Sequence, residues 1–349
     1  KCGYAYVWLP GEDGKTPPKS KTFQPGTEVI IERFLCVGTS PAQAYGRAMA
    51  KLGEVGKLYL SLTDSKGNAI STARVDFKRD GKSIPAYPDA QGIIEISLPL
   101  GEWQLTAKDN GREALDRKIV ISKNEVTNEK MTLGARSGVH FSITKENGDP
   151  TPCKAQIIGI EGTNSPKLGP VDRAHGCNDQ YHSENGKFSI GLAPGKYNII
   201  VTRGIEHDHF EKRLEIKKGK FETIQTSLTR SVKTPGWVST DFHNHSTPSG
   251  DNICGTPDRL INLAAEHIEF APTTEHNRIM DWTPTIESLG LVNEISTIPG
   301  MELTGSGPHL NAFPLTPKHH HQDGGAPTWT KDPRINALNL KNHSGHRPS

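Results

Sequence analysis

The sequence predicts a multidomain chain: two all-β sandwich modules in tandem, then an α/β region. Three observations predict it. Short apolar runs with period-two alternation, separated by Asp/Asn/Gly turns, fill residues 56–230. The order of runs and turns occurs twice. After TPGW at 234–237 the pattern changes, and apolar strand runs alternate with a helical stripe.

The first 55 residues read as the tail of a preceding β-rich domain. A strand is expected over 29–35. A short helix is expected over 41–50, with Ser40 as its cap. The sequence lacks an initiator Met and starts in a strand-like run, so an internal fragment of a longer protein is expected.

Residues 56–133 form the first module. Strands are expected at 57–62, 73–77, 93–98, 103–107 and 117–121, with turns DSKG at 64–67, DG at 80–81 and DNG at 109–111. Residues 134–233 repeat the scheme. The run 139–143 precedes ENGD at 146–149, as 58–62 precedes DSKG. FSI at 188–190 then LAPGKY at 192–197 matches IEI at 94–96 then LPLGEW at 98–103. The shared pattern resembles the carboxypeptidase regulatory-like family of β-sandwich modules. That resemblance implies a spacer or binding role, including glycan contact, and no chemistry.

Composition narrows the function. The 349 residues carry a formal net charge of +2, with basic residues scattered, so no field argues for nucleic acid. No apolar run approaches the ~20 residues that cross a bilayer. The N-terminal residues do not form a signal peptide. The module style favours an exported protein. Five Cys stand at 2, 36, 153, 177 and 254, without a C-x-x-C. Cys153 could pair with Cys177, and Cys2 with Cys36, or all could be buried free thiols.

The second module carries unusual polar content: Arg173, His175, Asp179, Gln180, Tyr181 and His182, then Arg203, Glu206, His207, Asp208 and His209. It reads either as a patch facing a ligand or a neighbouring domain, or as solvated loops.

The chemistry concentrates after residue 234. In VSTDFHNHSTPSGD at 238–251, His243 and His245 alternate to one face of a strand end, where two imidazoles can chelate one ion. Asp251 follows across a TPSG turn. A helix should begin at Thr256 as cap and Pro257 in the first turn, with His267 a satisfied residue inside it. Strands over 269–274 and 296–299 end in Glu275-His276-Asn277 and in Gly300-Met301-Glu302, and His309 precedes another apolar run. His or Glu thus falls at successive strand ends, where barrel-type α/β enzymes gather their sites. Cys254 reads as a bystander, His319-His320-His321 as a solvated insertion, and 339–346 as a loop.

These motifs, DFHNHSTPSGD at 241–251, TEHN at 274–277, GMELT at 300–304 and HLN at 309–311, resemble the PHP superfamily, and within it the CehA/McbA-like metallohydrolases. The resemblance covers about 236–316. It implies that residues 234–349 form the N-terminal part of an α/β PHP-type (β/α)7 barrel, truncated at the C-terminus. It also implies two or three divalent ions. His243 and His245 would hold the first, Glu302 would bridge two, and Asp251, His276 and His309 would serve the others. Glu275 stands where the family often has Asp and would act behind the ligands.

Imidazole and carboxylate donors suit Zn, Mn or Fe. The expected function is therefore metal-dependent hydrolysis of a phosphoester, ester or amide-like bond in a small-molecule or polymer substrate, by a metal-activated water. This fragment could be inactive because its barrel is incomplete. The alternative is an exported carbohydrate- or matrix-binding protein with a vestigial metal site.

Overall fold

The computed structural model describes residues 28, 35–307 and 309–343. The strand expected over 29–35 and the Cys2–Cys36 pair lie largely outside the described residues. Helix α1, Pro41–Leu52, starts where Ser40 Oγ accepts from Gln43 N at 3.2 Å, with Pro41 in the first turn. It lies on the first module. A Cβ on Gly46 would meet Ser97 N at 2.8 Å, so the close approach requires glycine.

The first module has seven strands: β1 Val55–Asp64, β2 Arg74–Arg79, β3 Lys82–Ala86, β4 Ile93–Pro99, β5 Gly101–Lys108, β6 Leu115–Ile121 and β7 Val126–Leu133. They form two sheets, β4-β1-β7 and β3-β2-β5-β6. Alternation drives the sandwich: Leu58, Leu60 and Leu62 of β1 are buried while Lys57 and Tyr59 are exposed. The buried face meets Phe77, Ile94, Ile96 and Leu105. Each such side chain contributes about 1.5–3 kcal/mol by leaving water.

The second module repeats this plan with β8 Gly138–Lys145, β9 Cys153–Ile160, β10 Gln180–Ser183, β11 Lys187–Gly191, β12 Gly195–Thr202, β13 Phe210–Ile216 and β14 Phe221–Leu228. Its sheets are β11-β8-β14 and β10-β9-β12-β13, the first module's order strand for strand. In both, the first and last strands pair in parallel. The likeness reaches single atoms. Trp103 Nε1 donates to Pro99 O, and Tyr197 Oη donates to Ala193 O, each at 2.9 Å. Both aromatic rings enter the core and keep a partner for their polar tip. Cys153 and Cys177 are free thiols, with Cys153 buried in the second core.

The chain from residue 234 corrects the expectation of a (β/α)7 barrel. Among the described residues of this region the named strands are β15 Met301–Leu303 and β16 Leu310–Ala312, paired antiparallel. Elsewhere among the described residues the runs meet at isolated bridges: Thr240 with Phe270, Phe270 with Ser296, His276 with Glu302 and Met280 with Gly300. The helices are short: α2 Thr256–Ala265, α3 Thr283–Ser288 and α4 Pro333–His343. Proline is one physical reason. Pro272 and Pro299 lack the N–H that a central strand donates, so each removes a bond that a longer ladder would use. Three-residue strands cannot close a barrel wall.

Local expectations also shift. The N-cap of α2 is Gly255; Thr256 sits inside the helix, with its hydroxyl 2.8 Å from Ser246 Oγ. His267 lies just past α2 with φ +56°, and residues 339–343 close α4 instead of forming a loop. The region keeps its own core of Leu260, Ile261, Ala271, Trp282, Ile286 and Ile295, which Ala174 of the second module joins.

The polar patch of the second module faces this region. Ala174 N donates to Asp258 Oδ1 at 2.8 Å, His182 Nε2 lies 3.1 Å from Asn262 Nδ2, and Lys154 pairs with Glu266. The buried Arg203 donates to Glu294 at 2.6 Å.

Candidate metal centre

The bridge of Thr240 with Phe270 brings residues 241–245 beside 271–276, with Asp241 N donating to Phe270 O at 3.2 Å. Asn244 and Thr274 then lock the two segments. Asn244 N donates to Thr274 Oγ1 at 2.8 Å, and that hydroxyl donates back to Asn244 O at 2.6 Å. Glu302 is set by the next bridge, where Glu302 N donates to Glu275 O at 3.0 Å and Asn277 N to Glu302 O at 2.8 Å.

The Glu302 side chain is 1 % exposed, and four imidazoles surround it. His243 Nε2 and His245 Nε2 each lie 3.2 Å from Oε2, His276 Nδ1 lies 3.1 Å from Oε2, and His309 Nδ1 lies 2.7 Å from Oε1. The two Nε2 atoms of His243 and His245 are 3.1 Å apart. The donor atoms of His243, His245 and Glu302 all lie within 4.8 Å of one another. Asp251 stands on the rim, its carboxylate 3.0 Å from His276 Nε2. All six expected site residues are therefore brought together.

The donor chemistry fits a divalent ion. A buried carboxylate needs a compensating charge. Among the described residues no Lys or Arg supplies one to Glu302. Burial, followed by the neighbouring His276, holds His245 below the usual imidazole range, which favours a neutral ring with a free lone pair.

Strand alternation does not position His243 and His245, because residues 241–247 form no strand. A clamp does. The Glu275 carboxylate is fully buried and accepts from Ser246 N and Ser249 N, each at 3.1 Å, and from both serine hydroxyls. Ser249 Oγ in turn lies 3.1 Å from His245 Nδ1 and accepts from His276 N at 3.0 Å. Arg259 holds His245 O at 2.9 Å, and Thr304 Oγ1 meets His276 Nδ1 at 2.6 Å. The spacing of the two serines after H-x-H was the visible signal for this clamp. Burial pushes the Cys254 thiol up, as suits an inert group.

No protein-family description and no curated protein matches the chain. Solved structures do align with it. The Bacillus anthracis TIE protein shares 13% identity over 55% of this chain and 37% of its own, with TM-score 0.24. A streptococcal ancillary pilin shares 16% over 51% of this chain and 62% of its own, with TM-score 0.29. BcpA, the major pilin subunit of Bacillus cereus, shares 9% over 51% of this chain and all of its own, with TM-score 0.23. The chain thus spans less than two thirds of the first two proteins. Likeness at this level leaves function to the residues.

The expected metal-dependent hydrolase of a PHP-type barrel is corrected on the fold. Among the described residues no barrel forms that would enclose a reaction. The cluster instead opens to solvent: the side chains of His243 and Asp251 are 55% and 65% exposed. Nor is any helix of the described residues long and apolar enough to cross a membrane.

Proposed function

We propose that the chain is an exported, non-catalytic binding protein, in which tandem β-sandwich modules contact carbohydrate or matrix and carry a divalent-cation centre. The observation that carries the cation site is the convergence of four imidazoles on the buried Glu302 carboxylate. The likeness of these motifs to the PHP superfamily supports the same ligand set. Zn, Mn or Fe suits these donors. When bound, the ion supplies positive charge that neutralises Glu302 and ties together segments that are distant in sequence. His243, His245 and Glu302 would hold it, with His276, His309 and Asp251 around them. The exposed rim leaves a face where sugar hydroxyls or a carboxylate could approach.

Reconstitution with Zn or Mn, followed by metal analysis and thermal unfolding, tests the cation site. At least one ion per chain is expected. At a free metal concentration 100 times the dissociation constant, stabilisation of about 2.7 kcal/mol is expected. Glu302→Gln should abolish both. Less than one ion per chain after reconstitution overturns the cation site. Retention on immobilised polysaccharide or matrix protein tests the binding role, and no retention on any such surface overturns it.

A further inference from the structure

Where the second module meets the C-terminal region, a cleft of about 390 Å³ opens. That volume lies within the range of small-molecule sites. Lys145, Arg203, His207, Arg230 and His267 line it, with one carboxylate, the exposed Glu146. Two further acids do not line it but pair with its cations. Glu294 binds Lys145 Nζ and Arg203 Nη2, each at 2.6 Å, and Glu206 binds Arg230 Nη2 at 2.7 Å and faces His267 Nδ1 at 3.1 Å.

These acids use only part of the donor capacity. Arg203 is 3% exposed, yet its Nε and Nη1 have no partner. Arg230 Nε and His207 Nδ1 are likewise buried and unpartnered. A buried donor without an acceptor costs about 1–3 kcal/mol, and more when charged. Several such atoms side by side on one cleft call for a partner that the chain itself does not supply. The missing partner must bring several acceptors. An apolar group satisfies nothing, whereas a planar or tetrahedral oxyanion matches guanidinium geometry.

We infer that this cleft is an oxyanion-binding site, taking a carboxylate or phosphate group, free or at the end of a larger molecule. It lies apart from the metal centre and shares no residue with it. Burial and then the Arg203 charge press the His207 imidazole down to about 4. An anion seated beside it offsets that charge, so ligand binding should raise its titration midpoint.

The test uses the full chain in EDTA, at ionic strength held constant with sodium chloride. Inorganic phosphate and malonate are titrated separately by calorimetry, and His207 is followed by NMR. Saturable binding of phosphate, malonate or both is expected, with the His207 midpoint moving up. The arm that binds identifies the oxyanion class. Arg230→Gln and Lys145→Gln should each weaken binding about tenfold, since each removes one charge-assisted contact. Circular dichroism checks that each variant is folded. No saturable signal from either anion, or unchanged affinity in a folded Arg230→Gln protein, overturns the proposal. Loss of metal binding in Glu302→Gln leaves this result untouched, so the two sites fail separately.

Discussion

The two sandwich modules share one topology and differ in what their polar residues face. In the first, buried charge is settled internally: Asp76 accepts from Arg74 at 2.7 Å and from Lys108 at 3.3 Å, and Asp109 from Arg112 at 2.9 Å. In the second, Lys145, Lys154 and Arg203 reach out to Glu294 and Glu266 of the C-terminal region. The loop between β9 and β10, residues 161–179, is much longer than its counterpart between β2 and β3, a two-residue turn. It supplies Ala174 to the third core. Duplication thus provides a scaffold, and its loops decide whether a copy stands alone or becomes a platform.

The contrast can be broken most strongly at the joint. Glu294→Ala strands the buried Arg203 guanidinium and should cost about 3–5 kcal/mol in urea unfolding. The double change Arg203→Met with Glu294→Leu should recover much of it. Equal loss in single and double variants would show that the ion pair does not hold the joint.

Leu60→Ala, in the first core, should cost about 2–5 kcal/mol by leaving a cavity. Its effect should stay within the first module, so metal affinity should be unchanged. A parallel fall in metal binding would mean the modules are coupled.

Acid sharpens the comparison further. His207 is held down to about 4 in the folded protein, and burial also lowers His182 and His267. Such groups are neutral when folded but protonate near 6.5 when unfolded. Their contribution is therefore complete above about pH 6.5 and is lost as pH falls toward 4. The second module and its joint with the C-terminal region should lose stability over that window while the first module changes less. His207→Gln should flatten the slope of the urea midpoint against pH.

The smallest expected effect is at α1. Ser40→Ala removes a cap bond and should cost about 1 kcal/mol, confined to the helix on the first module. Hydrogen exchange of α1 amides reads this directly.

The sandwiches were legible because period two survives wherever one face is buried: Leu58, Leu60, Leu62 and Val139, Phe141, Ile143 announce their sheets. Strands β7, β9, β13 and β14 were not named from the sequence, nor were the short β3 and β10, whose Lys82–Ala86 and Gln180–Ser183 are polar edge strands with little alternation. The site's donors were legible by type, as His and Glu at the ends of apolar runs. How they meet was not, because the Glu275–Ser249 clamp depends on a carboxylate buried by long-range folding. The architecture after residue 234 was not legible, because motif likeness reports local segments and not whether their short pairings extend into a barrel wall.

The parallel pairing of β1 with β7, and of β8 with β14, has a mechanical consequence. Chain enters each module at one pole and leaves at the other. Tension along the polypeptide therefore loads that ladder in shear, against many bonds at once, instead of unzipping it one rung at a time. Two such units in series form a tether whose resistance to pulling is set by rupture rate.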